Sequence, residues 1–88
     1  MQLHELIANL QRLDDAYIIC ATKPWSSRSR ARLALPDKSE AMPEDLKRCG
    51  FSYFLEVHIA KEILEVFGEK PPSANETLRL LIEYAAPD

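Results

Sequence analysis

Residues 51–67 constrain the fold most, because their hydrophobic period changes in the middle without any linker. Apolar and polar residues first alternate, as on a strand with one solvated face, at Leu55, Glu56, Val57, His58 and Ile59. Apolar residues then recur three or four positions apart, as on a helix, at Ala60, Ile63, Leu64 and Phe67. We therefore predict a strand over 51–57 that leads directly into a helix over 58–67, which Gly68 ends.

The same stretch also fits one long helix that begins near Ser52. In that helix Glu56 would lie near the middle of the apolar face, whereas Leu55 and Ile59 would point away from it. We prefer the strand followed by a helix for this reason.

The first half of the chain predicts one helix and a hairpin. Apolar residues at helical spacing run from Leu3 to Leu13, and Asp14-Asp15 ends that helix. Residues 17–21 are a continuous apolar run, typical of a strand covered on both faces or at the centre of a small sheet. A second strand over 31–35 ends at Pro36, and the simplest pairing of the two strands is antiparallel.

The second half predicts two further helices around the strand-to-helix unit. Residues 37–42 are predicted to be a loop, and a short helix over 43–49 starts at Pro43 and is capped by Gly50. After Pro71-Pro72, Ser73 and Glu76 have the spacing of a capping box. The core face of the last helix, which ends before Pro87, is predicted to hold Leu78, Leu81, Ile82 and Ala85, with Leu80 and Tyr84 beside it.

Together these elements predict an α+β fold over residues 1–88, taken as a single domain. A small, mainly antiparallel sheet of three strands packs against three helices plus one short helix, in the order α-β-β-α-β-α-α.

The net charge of −3 makes nucleic acid a poor default partner. Without a signal-peptide pattern or an apolar run near the ~20 residues that span a bilayer, we expect a cytoplasmic protein with no membrane contact.

Little in the sequence points to catalysis, a metal or a cofactor. His58 and Glu62 have the spacing of two ligands on one helix face, but no third ligand follows from spacing. Cys20 lies in an apolar run and Cys49 precedes a glycine, so we expect reduced thiols and no disulfide. A small enzyme built on Cys49 and His58 remains an alternative. With two glycines in the chain, no phosphate-binding loop is expected.

Residues 23–32 carry four of the eleven basic side chains around the only tryptophan, in an otherwise acidic chain. Such a composition is typical of a protein-binding hot spot and also of a surface on which nucleic-acid bases stack. The competing interpretation is that the tryptophan caps the end of the core and the arginines are merely solvated. The predicted binding residues are Lys23, Trp25, Arg28, Arg30 and Arg32.

Three short motifs also suggest a relationship: Lys23-Pro24-Trp25, the run over 50–57 that leads into a helix, and Glu83-Tyr84-Ala85. Over nearly the whole chain, this combination resembles a family of short uncharacterised bacterial proteins. Some similar small proteins are immunity or accessory proteins that bind another protein, and the resemblance implies no catalytic residue and no ligand.

We therefore predict a non-enzymatic, immunity-like or accessory domain of a bacterial cytoplasm that binds another protein. The first alternative is a module that binds nucleic acid through the loop around Trp25. The second alternative is the small Cys/His enzyme.

Overall fold

A computed structural model describes residues 1–36, 42–70 and 72–86. The α+β class, the antiparallel sheet and the predicted order of the elements are confirmed. In chain order the elements are α1 (Leu3–Ala8), a 3₁₀ turn (Leu10–Arg12), β1 (Ile18–Thr22), β2 (Ala31–Ala34), α2 (Glu44–Arg48), β3 (Phe51–Glu56), α3 (Val57–Glu65) and α4 (Ala74–Ala85).

The three strands form one antiparallel sheet in the order β2-β1-β3. The predicted hairpin is therefore correct, and the apolar run is the central strand. Its residues are buried on both faces: Ile19 and Ala21 face one side, whereas Ile18 and Cys20 face the other. A strand enclosed in this way has no solvated face, which is why its sequence shows no alternation.

A main core fills the space between one face of the sheet and helices α1, α3 and α4. A smaller core lies on the opposite face, under α2. The main core contains Leu3, Leu6, Ile7, Leu10, Ile19, Ala21, Ala31, Phe54, Leu55, Val57, Ala60, Leu78 and Leu81. The second core contains Ile18, Cys20, Ala34, Met42, Leu46 and Phe51.

The strand-to-helix transition falls one residue earlier than predicted. Val57 is the first residue of α3, and its backbone N–H donates to the carbonyl of Tyr17 at 3.0 Å. The boundary was misplaced because Val57 fits both periods: it alternates with Glu56 and also lies three positions before Ala60 on the apolar helix face. The single-helix alternative is wrong, since β3 pairs with β1 along its length, for example at Tyr53 and Cys20.

A β-bulge interrupts that pairing. Ile19 lies opposite Leu55 and Cys20 lies opposite Tyr53, so Phe54 is an extra residue on β3. Because the bulge shifts the alternation by one position, Phe54 and Leu55 both enter the main core. Tyr53 and Glu56 therefore share the opposite face, where the Tyr53 hydroxyl donates to the Glu56 carboxylate.

Helix ends follow the predicted signals in part. The first helix ends at Ala8 and continues only as a 3₁₀ turn, so the prediction of one helix through Leu13 is wrong. Gly50, with φ of 89°, directly follows the C-cap of α2, as a residue that ends a helix often does. Gly68 also has positive φ, 58°, but α3 already ends at Glu65, so the prediction of a helix through Phe67 that Gly68 ends is wrong. Ser73 caps α4 by accepting from the Glu76 N–H at 3.2 Å.

Several predicted features lie outside the described residues: the loop over 37–42 apart from Met42, and Pro71 and Pro87.

The predicted core face of α4 is correct, and Thr77 is buried beside it. None of the helices within the described ranges has both the length and the apolar character needed to cross a membrane.

Candidate functional site

The loop between β1 and β2 is held together by its own serines. The hydroxyl of Ser29 accepts from the Ser26 N–H at 2.9 Å and donates to the Pro24 carbonyl at 3.1 Å. The Ser29 N–H also donates to the Ser26 carbonyl at 3.1 Å. Ser29 is only 6% exposed, so these bonds satisfy a buried hydroxyl and give the loop a defined shape.

The same loop also caps the first helix. The N–H groups of Leu3 and His4 donate to the carbonyls of Ser29 and Ser27, at 2.7 and 3.1 Å. These are amides of the first helical turn, which have no partner inside the helix. The Ala31 N–H donates to the Met1 carbonyl at 2.8 Å, so the N-terminal residues lie along the outer edge of β2.

Trp25 is half-buried and packs on the main-core side of the sheet. Its ring meets Phe54 edge-on, with centroids 5.0 Å apart, and its Nε1 donates to the Ala21 carbonyl at 3.3 Å. The Lys23 ammonium lies 5.0 Å from the Trp25 centroid. A depression of about 340 Å³ separates this pair from the end of α4 at Ala85.

Arg30 and Arg32 lie on the opposite face. The Arg30 guanidinium is 5.6 Å from the centroid of Phe51, a residue of the second core. Arg32 is opposite Cys20, which belongs to the same core. Arg28 is exposed in the turn that precedes β2. The five predicted binding residues are therefore not one surface: Lys23 and Trp25 are on one side of the sheet, Arg30 and Arg32 on the other.

The outer edge of β2 was not found from the sequence, because it depends on the strand order. The Thr22 N–H donates to the Arg30 carbonyl, so Arg30 and Arg32 direct their main-chain groups towards β1. Ala31 and Leu33 direct theirs outwards. The Ala31 N–H already donates to the Met1 carbonyl. The outward N–H and C=O groups of Leu33 have no hydrogen bond within the described residues.

Exposed side chains flank this open main chain. Met1 is 72% exposed and Leu35 is 58% exposed. We call the surface formed by Arg28, Arg30, Arg32, Leu33 and Leu35 the arginine edge. In the part of the chain that the structure describes, ion pairs join Lys47 to Glu44 and Lys61 to Asp15, and none includes an arginine of this edge. A depression of about 260 Å³ beside it is lined by Met1, Leu6, Ala31, Arg32 and Leu33.

A second group of polar side chains surrounds a depression of about 470 Å³ at the other end of the sheet. The bulge brings Tyr53 and Glu56 together there, which is why their spacing in the sequence gave no signal. Its lining includes Asp15, Tyr17, Tyr53, Glu56 and His58. Lys61 already pairs with Asp15 at 2.7 Å, and Glu56 accepts from Tyr53. Among the described residues, no three His, Cys, Asp or Glu side chains are placed to hold a metal ion.

The two thiols lie in different environments. Cys20 is fully buried, and burial raises the pKa of its thiol from the ordinary 9.0 to about 11, so it is protonated and inaccessible at neutral pH. Cys49 is exposed at the end of α2. His58 lies beyond the far end of β3, and at ~3.3 Å per residue the strand separates the two by roughly 20 Å. The structure does not bring Cys49 and His58 together.

The fold and this surface define a small α+β domain whose antiparallel sheet carries an arginine-bearing open edge. In comparisons with known proteins, no family model, curated protein or solved structure matches the chain. The resemblance to short bacterial proteins therefore stays a prediction.

Proposed function

We propose that this chain is a non-enzymatic domain that binds another protein through the arginine edge. The observation that carries the proposal is the combination of exposed arginines, Arg32 on β2 and Arg30 directly before it, with outward main-chain groups at Leu33. Arginine is enriched at the centres of protein interfaces because its planar head makes several directed hydrogen bonds.

The position of Trp25 favours a protein partner over nucleic acid. Its ring is edge-on to Phe54 on the main-core side, whereas Arg30 and Arg32 lie on the other face. A single-strand-binding surface combines aromatic faces with cationic groups in one groove. The net charge of −3 also opposes general affinity for phosphate backbone.

The finer proposal is an immunity-like or accessory domain that works in a bacterial cytoplasm. It is supported by the resemblance of the three short motifs and by the free thiols of Cys20 and Cys49, which suit a reducing compartment. An immunity-type domain would have one specific partner of high affinity.

Photo-crosslinking in the native cells tests the function. A photoreactive amino acid replaces Arg28 in one version of the chain and Glu62, an exposed residue of α3, in the matched control. We expect a discrete protein adduct from position 28 and none from position 62. The adduct at position 28 should disappear when Arg30→Glu and Arg32→Glu are added.

Three results would contradict the proposal: no adduct at position 28, equal adducts at both positions, or adducts formed mainly with nucleic acid. Circular dichroism of each purified variant must show an unchanged fold, so that a lost adduct reports on the surface. Lys47→Glu combined with Arg48→Glu serves as a charge-matched control, since both residues are exposed on α2.

A further inference from the structure

We infer that the partner supplies an acidic, extended segment that joins the outer edge of β2 as a fourth strand. The inference rests on the proposed function and deepens it, because it names the chemistry of the partner and the way in which it binds.

The first step concerns the main chain. An edge strand offers a row of N–H and C=O groups to an incoming strand. The row begins just before β2 at Ser29, whose carbonyl accepts from the Leu3 N–H, and passes to Ala31, whose N–H donates to the Met1 carbonyl. It continues at Leu33. The N-terminal residues thus already use the start of this edge as a strand would, with Gln2 and Arg30 in an antiparallel bridge. A bound segment would pair in the same way with the next outward residue of β2, Leu33.

The second step concerns the side chains. Arg30 and Arg32 point to the face of the second core, whereas Leu33, opposite Ile19, points to the face of the main core. Neighbours across a strand pair lie ~5 Å apart on the same face. A segment beside β2 would therefore place carboxylates next to Arg32 and apolar side chains next to Leu33. Alternating acidic and apolar residues are the complement of this edge, and carboxylates bind the arginine head through two parallel hydrogen bonds.

Selection from a library of short random peptides displayed on phage, against the purified full chain, tests the inference. We expect enriched peptides that alternate acidic and apolar residues and lack internal proline. A synthetic copy of an enriched peptide should slow hydrogen exchange at the Leu33 amide and shift its NMR signal. Arg32→Glu should weaken that peptide about ten-fold or more, because it removes a charged hydrogen bond, and Lys47→Glu should not.

Methylation of the peptide's own amides separates strand addition from other modes. Methyl groups on the alternate amides that face β2 should abolish binding, and methyl groups on the other set should leave it intact. Strand addition would be contradicted if the peptide still binds with either set of amides methylated. It would also be contradicted if the peptide slows hydrogen exchange at amides away from the β2 edge. A selection that enriches no peptide would contradict it as well.

These outcomes are distinguishable from failure of the proposed function. A protein adduct at position 28 without strand addition would support the proposed function, protein binding, and would contradict only the inference that the partner binds as a fourth strand. If oligothymidylate shifts the Leu33 and Arg32 amides more strongly than any enriched peptide, the partner is nucleic acid and both proposals are wrong.

Discussion

The indole ring of Trp25 meets the ring of Phe54 edge-on, with ring centroids 5.0 Å apart and ring planes at 83°. Phe54 is the bulged residue of β3, and it faces the main core only because of the bulge. The β1–β2 loop is thereby attached to the far strand of the sheet. The tryptophan that marks this loop in the sequence contributes to packing, while the arginines that follow it remain exposed.

Replacing Trp25 should therefore reduce stability. Trp25→Ala removes the contact with Phe54 and the hydrogen bond to the Ala21 carbonyl, and we expect the free energy of unfolding to fall by about 2–3 kcal/mol. Urea unfolding followed by circular dichroism measures the change. Arg28→Ala, on the same loop but exposed, should stay within about 0.5 kcal/mol of the parent chain. Equal stability of the two variants would mean that the Trp25 contact contributes nothing.

The buried serine of the loop offers a second test. Ser29→Ala leaves the Ser26 N–H and the Pro24 carbonyl without their partner, which should cost about 1–2 kcal/mol. Ser27→Ala is the matched control, because Ser27 is exposed and its contact with His4 uses only the main chain. Thermal unfolding of both variants, compared with the parent chain, measures the loss of stability. A control as unstable as Ser29→Ala would show that the hydroxyl of Ser29 is not what orders the loop.

The two cysteines should differ in reactivity. Titration of the native protein with a thiol reagent should modify Cys49 quickly and leave Cys20 unmodified until the protein is unfolded. Cys49→Ala should abolish the fast reaction, and Cys20→Ala should retain it. Rapid modification of Cys20 in the native state would mean that β1 is not enclosed on both faces.

Burial of the Cys20 thiol also predicts a pH dependence. The thiol pKa rises from 9.0 to about 11 on folding, so the unfolded chain loses this proton first. The contribution to stability is full below pH 9, and it falls as the pH rises from 9 towards 11, by roughly 3 kcal/mol in all. The difference in unfolding free energy between the parent chain and Cys20→Ala, measured across this window, isolates the effect from other titrating groups. A constant difference would contradict it.

Lys61 should stabilise the fold mainly through an uncharged partner. Its Nζ donates to the Leu13 carbonyl at 2.6 Å and pairs with Asp15 at 2.7 Å, but the Asp15 side chain is 64% exposed. Lys61→Met should lower the free energy of unfolding by about 1 kcal/mol, whereas Asp15→Asn should change it by less than about 0.5 kcal/mol. The free energies of unfolding of both single variants and of the double variant, measured by chemical denaturation, separate the contact of Lys61 with the Leu13 carbonyl from its ion pair with Asp15. A larger loss in Asp15→Asn would assign the effect to the ion pair.

Periodicity and end signals were enough to predict the fold class and the order of the elements. The apolar run of β1 indicated a strand covered on both faces, because only such a strand has no polar alternation. Positions that fit two periods could not be resolved, and the boundary at Val57 was misplaced for that reason. The bulge at Phe54 left no local signal, since its cause is the pairing of β3 with a distant strand.

For the candidate site, the sequence determined which side chains are available and the tertiary structure decided where they lie. Lys23, Trp25 and the three arginines are close along the chain, and the strand period places Arg30 and Arg32 on one face. Only the packed sheet decided that Trp25 lies against Phe54 on the other face, and that the outward groups of Leu33 lie on an outer edge. The physical reason is that faces and edges belong to a sheet, and a sheet exists only once strands far apart in the chain have paired.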